Sequence, residues 1–162
     1  MSARYVVMGV SGCGKSLIGE MFARAAGLAF IDGDALHPKA NVDKMASGRP
    51  LDDDDRAPWL DKVGERLTIP GTVIACSALK RVYRDRIRAA AGHPVTVLYL
   101  RGKRETLWER VNSRPGHFMP PALLDSQLAT LEEPEADEDS LVADIELTPD
   151  AIVEIFLGSR RA

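Results

Sequence analysis

The residues with the plainest chemistry are Gly9-Val10-Ser11-Gly12-Cys13-Gly14-Lys15-Ser16, which fit the phosphate-loop pattern G-x-x-x-x-G-K-[ST] at every fixed position. Glycines let a backbone fold around an anion, and the free N–H groups at the start of a following helix point at phosphate oxygens. Lys15 would reach the β- and γ-phosphates of a nucleoside triphosphate, and the Ser16 hydroxyl would ligate Mg2+. Together with Leu17, Gly9, Val10, Ser11, Gly12, Cys13, Gly14, Lys15 and Ser16 make up the expected nucleotide site. The plain alternative is a Gly-rich turn that binds nothing.

A second group of candidates stands one strand further on. Asp32-Gly33-Asp34 ends a short apolar run, so two carboxylates lie where Mg2+ and an acceptor hydroxyl would need them. Capping of the next helix is the competing use for one or both. Lys80, Arg81, Arg84 and Arg88 form a basic stripe, of which Lys80 and Arg81 fall at a strand-end rim, the usual ligand position of open α/β sheets. Arg110 and Arg114 flank the irregular stretch Asn112 to Pro121, the expected form of a phosphate-closing lid, with an ordinary surface loop as the alternative.

The elements that must hold these groups follow from periodicity. Arg4 to about Met8 reads as strand 1, and Ile18, Met21, Phe22 and Ala25 give helical spacing from about Lys15 to Ala26, closed by Gly27. Leu28 to Ile31 reads as strand 2, Pro38 to Ser47 as helix, and a further helix runs to about Thr68. Its start carries Asp52-Asp53-Asp54-Asp55, four mutually repelling carboxylates read mostly as a solvated helix start. Thr72 to Ala75 is strand 3. The next helix has Leu79, Val82, Tyr83, Ile87 and Ala90 as its apolar face, with the basic stripe opposite. Val95 to Leu100 suits a strand buried on both faces. Helices follow at about Lys103 to Val111 and around Leu124 to Leu131. Glu132 to Asp139 reads as a solvated acidic turn without a ligand, Val142 to Leu147 as the last strand, and Pro149 starts a closing helix. Strands alternating with helices imply a parallel sheet covered on both faces. If strand 3 lies beside strand 1, as in kinases of this architecture, Cys13 and Cys76 border the site, with two buried inert thiols as the alternative.

Composition agrees with one α/β domain over residues 1–162. A net charge of −3 with no basic block gives no sign of a nucleic-acid surface, and no apolar run approaches the roughly 18 residues of a membrane span. The N-terminal residues enter strand 1 directly without a signal-peptide core, and two cysteines suit neither a disulfide framework nor a metal site, so a cytoplasmic location is expected. A switch GTPase is disfavoured. Asp61-Lys62-Val63-Gly64 matches D-x-x-G formally, but it falls in a helical stretch and nothing matches N-K-x-D. A motor would need more chain and a strand ending in a metal-binding acid, whereas strand 3 ends in Cys76-Ser77. A compact kinase with a lid remains, beside a nucleotide-binding regulator that has lost catalysis.

Several longer motifs carry a specific resemblance. Asp32 to Pro38, Asn41, Lys44 to Gly48, Pro50-Leu51, Asp53 to Arg56 and Pro58-Trp59-Leu60 resemble the gluconokinases. So do Cys76 to Arg81 with Tyr83-Arg84-Asp85, Gly116 to Pro120 with Leu123-Leu124 and Ser126-Gln127, and Thr130-Leu131-Glu132 with Pro134. The match spans about Gly9 to Pro134. Asp52 departs from it, where relatives often carry Asn. The resemblance implies a P-loop kinase fold of five parallel strands with helices on both faces and a lid at about residues 112–123. It further implies transfer of the γ-phosphate of ATP, with Mg2+, to the 6-hydroxyl of D-gluconate. In that setting Asp34 would orient the hydroxyl and accept its proton, Asp32 would act through the metal's water shell, and Lys15, Arg110 and Arg114 would neutralise the transferring phosphate. His37, Arg49, Lys80, Arg81 and His117 would take the gluconate carboxylate and hydroxyls. The implied partner is the small molecule, with no nucleic acid and no membrane, and a homodimer is allowed. A shikimate-type kinase of another hydroxy acid is the alternative.

Overall fold

In the computed structural model, which describes residues 3–113 and 121–158, the central strand is β1 (Arg4–Met8). Its side chains alternate between two apolar clusters, Tyr5 and Val7 in one and Val6 and Met8 in the other, so both faces need a cover. Helices α1 (Lys15–Ala26) and α7 (Pro149–Leu157) cover the first face with Ile18, Phe22, Ile152 and Phe156. Helices α3 (Asp53–Arg66) and α4 (Arg81–Ala91) cover the second with Trp59, Leu60, Val63, Tyr83 and Ile87. The described strands pair in parallel in the order β2 (Ala29–Asp32), β3 (Thr72–Ala75), β1, β4 (Thr96–Arg101), β5 (Ser140–Asp144). The expected five-stranded parallel sheet with helices on both faces is therefore found. Helices α2 (Lys39–Ala46), α5 (Arg104–Asn112) and α6 (Pro121–Thr130) complete the order. The core of the expected lid, including Arg114 and His117, lies outside the described residues.

The register places the chemistry on one rim. Asp32 pairs with Ala75, Val7 with Ala75 and Leu98, and the Cys76 N–H donates to the Val7 carbonyl at 3.0 Å. The phosphate loop after β1, the aspartates ending β2 and the loop after β3 thus leave the sheet side by side.

Four expectations need correction. Leu28 belongs to the turn rather than to strand 2, because its N–H donates to the Ala23 carbonyl at 2.7 Å to close α1. The last strand is Ser140–Asp144 rather than 142–147. Pairing with β4 runs from Val97–Ser140 to Arg101–Asp144, and Asp144 then folds the chain back by accepting from Glu146 N–H on its side chain and from Leu147 N–H on its carbonyl.

The third correction concerns α4. Val82 is 59% exposed and Arg84 is buried, the reverse of the apolar-face reading. The fourth explains it: Glu132 to Asp139 is no solvated turn, because Glu138 reaches inside to meet Arg84. Both side chains are 1% exposed. Arg84 donates from Nε and Nη2 to the two Glu138 oxygens at 2.7 and 3.1 Å, and from Nη1 to the Ala78 carbonyl at 2.8 Å. Arg88 and the Glu135 backbone N–H add bonds to Glu138 of 2.6 and 2.8 Å. The Arg81 guanidinium binds Asp137 and Glu135 in the same segment, and the Arg81 N–H donates to the Glu132 side chain at 3.0 Å. A sequence-only view of an acidic run and a basic stripe misses that the fold lays one on the other.

The run Asp52 to Asp55 is likewise only partly a solvated start. Asp52 caps α3 in a reciprocal capping box with Asp55, Asp55 also binds Lys44, and Asp53 accepts from the Tyr83 hydroxyl at 2.6 Å. The formal D-x-x-G match lies inside α3, with Asp61 bound in fork geometry by Arg86.

Burial alone would push the Glu138 carboxyl up, but the bonds from Arg84, the Glu135 N–H and Arg88 outweigh it and hold it at about 2. A carboxyl held below its unfolded value stabilises the fold fully above pH ~4.5 and loses that contribution as the pH falls toward 2. Glu138→Gln leaves Arg84 a buried cation without its counter-charge, which costs about 3 kcal/mol. Urea unfolding at pH 7 should show that loss, and the gap to the unaltered protein should close as the pH approaches 2. A gap independent of pH would remove the ion pair as its cause.

Candidate active site

The phosphate loop turns from β1 into α1 through Gly9, Gly12 and Gly14, all at positive φ. Gly14, at φ 86°, is the N-cap of α1 and offers no side chain to its first-turn N–H groups, which have no intrahelical acceptor. The helix therefore presents open donors and the positive end of its dipole to an anion. Gly12 is required by packing as well: a Cβ there would stand 2.7 Å from Val111 Cγ2 and 2.9 Å from the Leu107 carbonyl oxygen of α5.

Beside this loop the Ser16 hydroxyl donates to Asp32 Oδ2 at 3.5 Å, while Asp32 Oδ1 accepts from the Asp34 N–H at 3.0 Å. Asp32 thus caps the following turn with one oxygen and turns the other to Ser16. Asp32 and Asp34 are exposed, and their hard oxygen donors next to the Ser16 hydroxyl fit Mg2+, which keeps most of its waters and takes one or two protein ligands besides phosphate. The short helical turn Gly33–Leu36 holds Asp34 on the rim. It is held tightly against β3, since a Cβ on Gly33 would stand 2.3 Å from the Ala75 carbonyl oxygen, and the Trp59 indole N–H donates to the Gly33 carbonyl at 2.8 Å.

His37 follows that turn and stacks on Trp59 with ring centroids 4.0 Å apart. Asn41 Nδ2 donates to the Asp55 carbonyl and to His37 Nδ1, which leaves the ring proton on Nε2. Burial lowers the His37 pKa, so the ring is neutral at pH 7 and suits a hydroxyl better than a carboxylate.

Across the rim an open cleft of about 530 Å³ is lined by Pro50, Leu51, Asp53, Arg56, Lys80 and Tyr83, among others. Lys80 and Arg56 both lie over the Tyr83 ring, and Asp53 sits 4.0 and 3.8 Å from their charged nitrogens. Burial and the bond to Asp53 push the Tyr83 hydroxyl up to about 12, so it stays a hydrogen-bond donor. Among the sequence candidates, Lys80 is on this cleft and Arg49 immediately precedes its wall, with Nε bonded to Ser47 Oγ at 3.1 Å. The Arg81 guanidinium is turned to Asp137 and Glu135. Arg110, on α5, donates to the Ile145 carbonyl at 2.7 Å. Cys13 and Cys76 are fully buried, and desolvation raises both thiols, Cys76 to about 12. Neither is a reactive thiolate at neutral pH.

Periodicity gave no reason to single out Asp53, Arg56 and Tyr83, because their roles arise from three elements meeting at one cleft. Gln127 was missed in the same way. From α6 its amide oxygen accepts the Ser11 N–H at 2.8 Å, and its nitrogen donates to Ser11 Oγ at 3.1 Å.

Comparison with known proteins agrees with this geometry. The shikimate kinase family model matches residues 11–150. The thermoresistant gluconokinase of Escherichia coli (strain K12) is 45% identical over 156 residues, covering 92% of this chain and 88% of its own. The gluconokinase of Gluconobacter oxydans (strain 621H) is 46% identical over 154 residues, covering 92% and 86%. A crystal structure of a gluconokinase from Sinorhizobium meliloti 1021 superposes with a TM-score of 0.89 at 48% identity, covering 96% of this chain and 90% of that one. With the phosphate loop, the paired aspartates and the cleft in one frame, the chain belongs to the gluconokinase family, on the P-loop kinase fold it shares with shikimate kinase.

Proposed function

We infer that the protein transfers the γ-phosphate of ATP to the 6-hydroxyl of D-gluconate, giving 6-phosphogluconate and ADP. The observation that carries this reading is the 45–48% identity to gluconokinases over more than nine-tenths of the chain, on a phosphate loop intact at Lys15 and Ser16. The intact loop and the exposed Asp34 also weigh against a regulator that has lost catalysis.

The residues divide the work as follows. Gly9 to Leu17 take the triphosphate, with Lys15 at its β- and γ-phosphates. Ser16 and, through water, Asp32 would hold Mg2+, which would supply positive charge to offset that of the phosphates. Asp34, exposed on the rim beside Asp32, orients the 6-hydroxyl and accepts its proton. Phosphoryl transfer depends chiefly on in-line placement and charge neutralisation, so a rigidly held carboxylate matters more than a strong base. Gly33 packed on β3 and the Trp59 bond supply that rigidity. Arg114 and, on leaving the Ile145 carbonyl, Arg110 neutralise the transferring phosphate. The neutral His37 takes a gluconate hydroxyl, with Arg49 and His117 as further polar partners. Of Lys80 and Arg81, Lys80 is the better-placed cation for the carboxylate, because it lines the cleft and Arg81 reaches the ligand only by leaving Asp137 and Glu135. Two free thiols suit a reducing cytoplasm. A homodimer is compatible with this reading, and light scattering in solution tests it.

ADP release, measured by a coupled assay with gluconate, shikimate and nucleoside monophosphates, should be strong with gluconate alone. Turnover with shikimate instead would reassign the substrate, and none with any acceptor would favour a regulator. Asp34→Asn should lower kcat by about 100-fold or more while leaving the KM for ATP nearly unchanged. Near-normal turnover would end its catalytic assignment. Lys80→Ala should raise the KM for gluconate about tenfold, whereas Arg81→Ala should change it less than about threefold. The opposite ranking would return the carboxylate to Arg81.

A further inference from the structure

The phosphate loop is held from outside itself. Ser11 lies between Gly9 and Gly12, whose φ values of 157° and 87° are ones that side-chain-bearing residues rarely adopt. Glycines permit this path but do not enforce it, since they give the chain more conformations to choose from. Within the loop the Cys13 N–H to Val10 carbonyl bond is long, at 3.3 Å. The shorter contact at the tip comes from α6, where Gln127 accepts the Ser11 N–H at 2.8 Å and donates to Ser11 Oγ at 3.1 Å. One planar amide thus grips both the backbone and the side chain of one loop residue, which fixes the orientation of that peptide as well as its position.

The helix that carries Gln127 is itself anchored at several points. Leu124 is buried in the core, Asp125 is bound in fork geometry by Arg104, and the Leu131 N–H closes on the Gln127 carbonyl at 2.9 Å. One residue further the Glu132 N–H donates to the Leu79 carbonyl at 2.7 Å. The stretch from Gln127 to Glu132 therefore touches the loop after β1 at one end and the loop after β3 at the other. These are the loops that carry Lys15 and Lys80.

We propose that Gln127 is a positioning residue for the phosphate loop, setting the affinity for ATP by holding the Ser11 peptide in the orientation that the triphosphate requires. The proposal rests on the kinase reading above but deepens it, because it concerns the donor side of the site alone. In the absence of Gln127 the Ser11 N–H loses its acceptor and the loop samples the wider range its glycines allow. ATP then has to restore the order that Gln127 supplies, and its binding weakens accordingly. The acceptor cleft takes Ser126 and Thr130 from the same helix, but Leu124 and the Arg104–Asp125 pair hold α6 in place without Gln127, and Lys80, Tyr83 and Asp53 hold one another.

The test uses the full chain with Gln127→Leu, which keeps the volume and removes both bonds, and Gln127→Asn, which keeps the amide but is one methylene too short to reach Ser11. Steady-state kinetics with each substrate varied, and calorimetric titration with ATP in the absence of gluconate, give the readouts. In each variant that folds, the KM and Kd for ATP should rise about tenfold, the effect expected for a lost hydrogen bond that strands its partner. The KM for gluconate should stay within about twofold. A merely structural role would lower the melting temperature and the active fraction while leaving ATP affinity in the folded protein unchanged. That outcome, or a rise in ATP Kd below about twofold in either folded variant, overturns the proposal. If the unaltered protein binds ATP but does not phosphorylate gluconate, the substrate assignment fails, while a raised ATP Kd in the variants still upholds the role of Gln127.

Discussion

Parallel pairing of β1 with β3 on one side and β4 on the other is the constraint on which everything else here depends. It forces β2, β3 and β1 to end on the same rim, so residues far apart in the chain become neighbours. It also buries both faces of the sheet and so requires helical cover on each. The connections between strands must then cross over as helices, whose N-termini return to the rim where the strands end. A polar site at that edge is a consequence of the topology before any particular residue is chosen. The choice of residues then determines what the edge can hold.

What the sequence made legible was whatever depends on neighbours along the chain. The phosphate loop, the bounds of β1, β3 and α1, and the Gly27 stop all follow from local spacing, and all agree with the structure. Legibility failed where a side chain's role is set by a distant partner. Arg84 reads as a solvated charge on a helix until Glu138 arrives from more than fifty residues away. Val82 reads as core because it fits the apolar spacing on a helical wheel, but the acidic segment draws the opposite flank, with Arg81, Arg84 and Arg88, against the protein and leaves Val82 in solvent. The start of β2 moved by one residue and the bounds of β5 by two or three, because hydrogen bonds that close a helix or start a turn compete with the ladder. Within the site, the aspartates and Lys80 were visible as motif members. Asp53, Tyr83 and Gln127 were not visible as partners, since nothing in their own neighbourhoods asks for one.

The buried ion pair also explains an irregularity beside the cleft. Among the described residues Ala78 is the non-glycine with a left-handed backbone, at φ 44°, a conformation that costs an alanine about 1–2 kcal/mol. Its carbonyl accepts from Arg84, whose remaining donors are bound by Glu138. The guanidinium thus holds the loop after β3 in a shape it would not adopt alone, and Lys80 emerges from that loop toward the cleft. A polar pair inside an apolar layer is costly to desolvate, and here its return is geometric: it aims a charged side chain on the other side of the helix start.

Helix α1 has Gly14 at its N-cap. Globular helices commonly begin with a side chain that ties off their first N–H groups, as Asp52 does for α3 and Thr148 does for α7. At α1 that position is a glycine in left-handed conformation, with nothing to offer. Helix α1 is therefore left without a side-chain cap, as α2, α4 and α5 are, and under the proposed function the group that completes it is a phosphate brought from solution. On that reading the nucleotide is part of the fold as well as a substrate. Its binding to the native state alone adds to conformational stability in proportion to the logarithm of its concentration above Kd, so the resistance of this chain to unfolding reports the supply of the donor it consumes.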